Sequence, residues 1–253
     1  MILHHRIQGD GAPVIIIHGL FGDGLNWGGV SRILKDSYRL ILPDMRNHGR
    51  SPHADDIAYP TMAQDIVELM DELDVPSAHI VGHSMGGKIA MTLALRHPER
   101  VQSLTVVDIA PKAYPIRHRD VFAGIKAVAD AHPQSRQDAE ALLKEHIQTT
   151  DVRTFILKNL ERTNDGFAWR INWQALYDHY QDLADFPITE GQYTGPTQFL
   201  VGELSDYVGK EDQAVISQLF PQAKGRVVGG TGHWLHAEKP DLVARWIDQL
   251  IAS

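Results

Sequence analysis

The chain has 253 residues, of which 43% are apolar and 22% are charged, and it contains no cysteine. This balance is typical of a folded globular domain, and it excludes disulfides, thiolate metal sites and a cysteine nucleophile. The formal net charge of −8 argues against nucleic acid as the main partner. No apolar run is long enough to cross a bilayer, and no signal peptide is recognised, so we expect a cytoplasmic protein, monomeric by default, without a membrane partner.

The first part of the chain alternates short apolar runs with helical patterns. The predicted strands are an edge strand at Ile2–Ile7, followed by Val14–Ile17, Tyr38–Leu42, Ala78–Val81 and Ser103–Val107. Thr61 and Gln64 form a predicted capping box at the start of one helix, and a second helix is predicted at Lys88–Leu95. Strands that alternate with helices favour an α/β fold with a parallel sheet covered on both faces.

The pattern changes after Asp108. No strand is predicted between Pro111 and Pro187, where the helical stretches are Val121–Ala129, Asp138–Ile147, Val152–Leu160 and Trp173–Leu183. Strands resume at Gln198–Val201 and Arg226–Val228, and an amphipathic helix ends the chain. We therefore predict an α/β core formed by residues 1–110 and 188–253, interrupted by a helical insertion at residues 111–187.

The pentapeptide Gly82–Gly86 reads G-H-S-M-G and matches the motif G-x-S-x-G. It follows a predicted strand and precedes a predicted helix, which is the setting of a nucleophile elbow. On such a tight turn Ser84 projects above the sheet, and the amides of the following helix face developing negative charge. The alternative is a glycine-bounded turn without chemistry.

A serine nucleophile needs a base, and the base needs an orienting acid. His233 lies in a loop after the last predicted strand and is a better candidate for the base than His236, which lies nearer the terminal helix. Asp108 and Asp206 each follow a predicted strand and keep the chain order Ser, Asp, His. From the residues alone, both aspartates are candidates for the acid.

A glycine-rich loop, His18–Gly22, follows the second predicted strand. The backbone N–H groups of Leu20 and Met85 are the predicted donors of an oxyanion hole. A plain glycine loop is the alternative, and a phosphate loop is disfavoured because G-x-x-x-x-G-K-[ST] is absent. The histidines are scattered without metal-ligand spacing, so we expect neither a metal nor a cofactor.

These residues together resemble the α/β-hydrolase superfamily and, within it, the YbfF-type bacterial esterases. The most specific likeness lies in Asp44–Gly49, Gly82–Lys88, Asp108–Pro111 and His233–Pro240. The resemblance implies an enzyme that hydrolyses small to medium acyl esters or acyl-CoA thioesters through an acyl-serine intermediate.

The resemblance also bears on the acid. In this group the aspartate of the sequence D-I-A-P, here Asp108, is the acid, and a serine fills the slot where many α/β-hydrolases carry it. That slot is Ser205 in this chain, and Asp206 is displaced from it by one residue. The resemblance therefore implies Asp108 as the acid and Ser205 as a hydrogen-bonding helper, with Asp206 as the alternative acid.

The family further implies that the insertion is a cap over the active site, whose pocket receives the acyl group. The predicted pocket residues are Phe21, Tyr114, Phe122, Phe155, Trp169, Trp173 and Trp234. The alternative is that most of these aromatic residues form the core of the cap itself. Arg117 and Arg119 are candidates for contact with an anionic substrate tail, with solvated surface arginines as the alternative.

Two rival functions remain at this stage. Relatives with the same triad carry out lyase, C–C hydrolase or perhydrolase reactions, and a non-catalytic binder of small molecules is the other alternative. Dehalogenases and epoxide hydrolases are disfavoured because they need an aspartate where this chain has Ser84.

Overall fold

The computed structural model describes residues 1–253 and contains nine strands and eleven α-helices. The strands are β1 (His5–Gln8), β2 (Ala12–Ile17), β3 (Tyr38–Pro43), β4 (Ala78–His83), β5 (Val101–Val107), β6 (Leu160–Thr163), β7 (Gly166–Trp169), β8 (Thr197–Gly202) and β9 (Ala223–Val228). The helices are α1 (Gly28–Leu34), α2 (Tyr59–Glu72), α3 (Met85–Arg96), α4 (Arg119–Ala131), α5 (Arg136–His146), α6 (Thr150–Leu157), α7 (Trp173–Asp178), α8 (Tyr180–Ala184), α9 (Gln213–Leu219), α10 (Leu235–Glu238) and α11 (Pro240–Ile251).

Seven of the strands form one sheet in the order β1-β3-β2-β4-β5-β8-β9. Only β1 runs antiparallel to its neighbour, and the other pairs are parallel. The side chains of Val14–Ile17 are all fully buried because both faces of the sheet are covered. This confirms the predicted α/β fold with a mostly parallel sheet.

Each face of the sheet has its own hydrophobic core. Residues of α2 and α3 pack on one face, in a large cluster that continues into the insertion, and residues of α1 and α11 pack on the other. The terminal helix buries Val243, Ala244 and Ile247, which lie on one side of the helix as its apolar periodicity predicts. None of the helices combines the length and the apolarity needed to cross a membrane.

The insertion leaves the sheet after β5 and returns to the neighbouring strand β8. It contains α4 to α8 as well as an antiparallel hairpin of β6 and β7, so the prediction that it lacks strands was wrong. The hairpin gives no alternating hydrophobic signal because only the first residue of β6, Leu160, is buried. The single helix predicted at Trp173–Leu183 is instead two short helices that meet at His179.

The predicted capping box at Thr61 was also wrong. Helix α2 begins at Tyr59, and the residue before it, Ala58, provides no side-chain cap. Thr61 Oγ1 donates instead to the carboxylate of Asp56, at 2.7 Å. The helix begins earlier than predicted because Pro60 fits its first turn, where the missing N–H group carries no penalty.

Candidate active site

Ser84 lies on the turn between β4 and α3. Its backbone has φ 54° and ψ −118°, a positive-φ conformation that residues other than glycine rarely adopt. A Cβ atom on Gly86 would collide with the carbonyl oxygens of Ile17 and His18, so α3 approaches β2 closely only because residue 86 is glycine. The strand, the turn and the helix therefore form the tight elbow that the motif predicts.

Two backbone amides beside Ser84 have no acceptor in the protein. Met85 is the first residue of α3, where the N–H groups have no partner within the helix. The N–H group of Leu20, in the loop after β2, is likewise unpaired, and both residues line a cavity together with Ser84. These amides are available to a negatively charged oxygen.

The loop that carries Leu20 is held in place by His18. The His18 Nδ1–H donates to the carbonyl of Gly19 at 2.8 Å, and Nε2 accepts from the N–H of Met45 at 2.9 Å. Burial lowers the pKa of His18, which suits the accepting role of its unprotonated nitrogen. This neutral imidazole therefore joins the glycine loop to the residues that follow β3.

Asp108 lies directly after β5 and its side chain is fully buried. Oδ1 accepts from the N–H of Gly202 at 2.9 Å, and Oδ2 accepts from His233 Nδ1 at 2.7 Å and from the hydroxyl of Ser205. Because Nδ1 of His233 donates to the carboxylate, Nε2 is the nitrogen that is free to accept a proton. The buried carboxylate thus fixes both the orientation and the tautomer of the imidazole.

Asp206 takes a different position from its neighbour Ser205. Its side chain is 77% exposed and pairs with Arg117 at 2.6 Å. The hydrogen bond from Arg117 lowers the pKa of Asp206. Asp206 is therefore a surface ion-pair partner and does not contact His233.

Two aromatic rings pack against the imidazole of His233, and a third packs behind one of them. The ring of Tyr207 stacks on it at 3.8 Å, and His83 packs at 4.6 Å, with His236 a further 4.3 Å from His83. Burial, reinforced by repulsion from the neighbouring histidines, lowers the pKa of His83 well below its ordinary value. Burial likewise lowers the pKa of His236 to about 3, so both rings are neutral near pH 7.

Ser84 and His233 lie on the wall of the same cavity, although no hydrogen bond joins them in this structure. Hydrogen bonds between a nucleophile and its base are often long until a substrate binds. Two cavities meet at Ser84, one of about 40 Å³ and one of about 160 Å³. Only the larger contains His233, and the residues shared by both are Leu20, Ser84 and His118.

The α/β-hydrolase fold family matches residues 12–240, almost the whole chain. This chain is a member of that family. It is 39% identical to the esterase YbfF of Escherichia coli K12 over 95% of this chain and 93% of the relative. It is 38% identical to the sn-1-specific diacylglycerol lipase ABHD11 of Danio rerio, over 92% of this chain and 76% of that protein.

A solved structure leads to the same family. A marine microorganism esterase with 38% sequence identity matches the fold with a TM-score of 0.94, over 98% of this chain and 99% of the other. A thioesterase domain from the curacin biosynthetic pathway shares the fold at a TM-score of 0.71 and 23% identity. The whole chain, including the insertion, therefore follows the architecture of known α/β hydrolases.

The predicted pocket residues of this α/β hydrolase divide into two groups. Phe21, Phe155 and Trp234 line the larger cavity, and Tyr114 lines the smaller one. The structure does not bring Phe122, Trp169 and Trp173 to either cavity.

The aromatic residues outside the cavities have other contacts. Phe122 is buried with its ring 5.2 Å from that of Phe21, and Trp169 donates to the carbonyl of Ile125 at 2.8 Å. Phe122 belongs to the large hydrophobic cluster that the insertion shares with α2 and α3, and Trp169 packs against that cluster. Of the two arginines, Arg117 lines the smaller cavity and Arg119 lies in a surface groove.

Three residues at the site were missed by the sequence analysis: Lys88, His118 and Tyr207. Lys88 is buried, and its Nζ donates to the carbonyls of Ala184 and Asp185, both at 2.8 Å. A lysine inside the otherwise apolar pattern of α3 was a signal that it has a buried partner. His118 and Tyr207 carry no comparable signal, because only the fold brings them beside Ser84 and His233.

Proposed function

We propose that this protein is a serine ester hydrolase, a carboxylesterase or thioesterase that acts through an acyl-serine intermediate. The observation that carries the proposal is the 2.7 Å hydrogen bond between His233 and the buried Asp108, in a cavity whose wall also contains Ser84. Relatives named esterase and diacylglycerol lipase, similar over most of the chain, support the same reaction class.

In the proposed mechanism Ser84 Oγ attacks the carbonyl carbon of the substrate while His233 Nε2 takes its proton. The N–H groups of Leu20 and Met85 bind the oxyanion, and each such donor typically lowers the barrier by about 3–4 kcal/mol. His233 then gives the proton to the leaving alcohol or thiol. Water, activated by the same imidazole, releases the acid in the second half of the reaction.

Asp108 stabilises the imidazolium that forms in each half-reaction and does not itself take the proton. Ser205 is proposed as its helper, because its hydroxyl donates to the same carboxylate oxygen that accepts from His233. With the Ser205 hydroxyl added to Gly202 and His233, three protein donors stabilise the charge of this buried carboxylate in place of water.

We also propose that residues 111–187 are a cap on a core formed by residues 1–110 and 188–253. Phe155 and His118, both from the insertion, line the cavities at Ser84, which supports this division. A cap in this position shields the site from bulk solvent and strengthens the electrostatic interactions around the acyl-enzyme, while the water that hydrolyses it still enters. A cytoplasmic location and a monomeric state stay predictions.

The proposal is tested by substituting the nucleophile. Ser84→Ala is expected to lower kcat/KM on an activated short-chain ester by at least about 10³-fold, because no other hydroxyl can take over the attack. The control is Ser37→Ala, which changes an exposed serine far from the site and leaves the rate unchanged. A fluorophosphonate probe, followed by peptide mass analysis, is expected to label Ser84, and near-normal activity of Ser84→Ala would refute the mechanism.

A further inference from the structure

We infer that this enzyme holds a short acyl group on one side of Ser84 and a large alcohol or thiol on the other. The inference rests on the proposed function and adds the division of the substrate between the two cavities. Its starting point is their unequal size, about 40 Å³ against about 160 Å³.

The position of the proton donor decides which cavity takes the leaving group. The imidazole that removes the proton of the nucleophile must later deliver it to the leaving oxygen or sulfur, so that atom must lie beside His233. His233 lines the larger cavity and is absent from the smaller one. The ring of Tyr207, stacked on His233 at 3.8 Å, lines the smaller cavity and separates it from the imidazole.

The smaller cavity is then left for the acyl group. It contains both Leu20 and Met85, whose amides would bind the carbonyl oxygen, together with Ser84. By comparison with the 150 Å³ cavity that holds a benzene molecule, about 40 Å³ accommodates roughly two carbons. An acetyl or propionyl group fits this space, and a hexanoyl group does not.

Buried hydrogen bonds hold the walls of the smaller cavity in place, so the cavity does not expand readily around a longer acyl chain. Tyr59 donates to the carbonyl of Leu183 at 2.7 Å, and Lys88 donates to the next two carbonyls, so the α8 end of the wall is fixed to the core. The hydroxyl of Tyr114 accepts from the N–H of Ala110 at 2.8 Å on the opposite side. These hydrogen bonds also occupy the polar groups, so the cavity presents mainly ring and methyl surfaces to an acyl chain.

The larger cavity continues towards the surface. It shares Asn26, Phe155, Trp234 and His236 with a surface groove of about 460 Å³. The rings of Phe155, from the insertion, and Trp234, beside the predicted base, lie 5.6 Å apart at this passage. A leaving group longer than the cavity therefore has a route out between the insertion and the core.

A matrix of esters tests the assignment. With the alcohol held constant as ethanol, kcat/KM is expected to fall at least about 10-fold from propionate to hexanoate, because the added methylenes exceed the volume of the smaller cavity. With the acyl group held constant as acetate, hexyl and decyl esters are expected to differ by less than about threefold. Ethyl hexanoate cleaved as fast as ethyl propionate would overturn the inference.

Two variants, one in each cavity, test which cavity sets the acyl preference and which sets the alcohol preference. Leu183→Ala enlarges the smaller cavity and is expected to raise the hexanoate-to-propionate ratio at least threefold, with the ratio of decyl to ethyl acetate unchanged. Leu183→Val is the milder alternative if the alanine variant folds poorly. Val152→Phe narrows the larger cavity and is expected to lower the ratio of decyl to ethyl acetate without changing the acyl preference.

The outcomes separate the inference from the function on which it rests. If Leu183→Ala changes only the alcohol preference and Val152→Phe only the acyl preference, the cavities have been assigned the wrong way round, although the enzyme is still an esterase. If wild-type protein turns over none of these esters, or if Ser84→Ala turns them over normally, the proposed function itself fails.

Discussion

At Ser84 the backbone adopts a conformation that costs a non-glycine residue on the order of 1–3 kcal/mol. Phe21 and Asp108 also have positive φ angles, of 62° and 54°, so three strained residues meet at one site. Such strain persists only where the surrounding structure fixes the backbone. Here the N–H of Ser84 donates to Val107, and the N–H of Asp108 donates to Leu200, which extends the sheet hydrogen bonds into both turns.

The two aspartates allow a matched test at this scale. Asp108→Asn is expected to lower kcat by at least about 10²-fold, because an amide neither stabilises the imidazolium nor holds its tautomer. Asp206→Asn removes the same charge from an exposed ion pair and is expected to change kcat by less than about threefold. Steady-state kinetics on one ester check both variants, and a large loss in Asp206→Asn alone would reverse the assignment of the acid.

At the scale of elements, the site depends on how closely α3 approaches the sheet. Gly86 faces the backbone carbonyls of Ile17 and His18, and a Cβ on Gly82 would collide with the carbonyl of Gly86. The two glycines of the motif thus allow a helix N-terminus to lie against strand ends, which positions the Met85 amide next to the loop that carries Leu20. Because both residues lack a side chain, the backbone of α3 can pack directly against the ends of the strands, and this packing fixes the position of Ser84.

This close approach predicts different effects on stability for two glycine-to-alanine substitutions. Gly86→Ala is expected to lower the free energy of unfolding by about 2 kcal/mol or more, because the methyl group forces α3 away from β2. Gly28→Ala, in the first turn of α1, meets nothing within 4 Å and is expected to be neutral or slightly stabilising. Urea unfolding measures both, and equal effects of the two substitutions would contradict the packing argument.

At the scale of the whole molecule, Lys88 connects the core to the insertion. Its side chain leaves α3 and ends among the carbonyls of Leu183, Ala184 and Asp185, where the insertion returns towards the sheet. The ammonium also lies 4.8 Å from the ring centre of Tyr114. Burial lowers the pKa of Lys88 to about 7, so its charge in the folded protein changes near neutral pH.

The lowered pKa gives stability a defined pH dependence. Between pH 7 and the ordinary lysine value the unfolded chain binds this proton more strongly than the folded protein, so the free energy of unfolding rises with pH. We expect a rise of about 2 kcal/mol from pH 7 to pH 9 in the wild type relative to Lys88→Met, which lacks the titrating group. Urea unfolding at each pH measures this free energy for both proteins. The same change with pH in the wild type and in Lys88→Met would contradict the prediction.

The sequence by itself determined the parts of the fold that local patterns encode. The apolar run Val14–Ile17 predicted a strand buried on both faces, and the glycines around Ser84 predicted a strand–turn–helix; the structure has both. The capping box at Thr61 failed because a proline set the helix start, and the hairpin at Leu160 was missed because its exposed residues show no period. A periodic pattern of apolar residues arises when one face of an element is buried, so it cannot reveal an element that has no buried face.

The residues alone left two carboxylates as partners for His233, the family resemblance favoured Asp108, and the tertiary structure shows the contact itself. Asp108 and Asp206 both follow a parallel strand, Asp108 directly and Asp206 in the loop beyond it. Asp108 is buried against an imidazole 125 residues away, and Asp206 is exposed beside Arg117. The direction of a side chain at a strand end depends on the turn that follows, and the partner it reaches depends on the order of strands in the sheet. The two unequal cavities also depend on the tertiary structure. Their walls combine residues of the core and of the insertion, so the sequence pattern of either segment alone does not predict their size or shape.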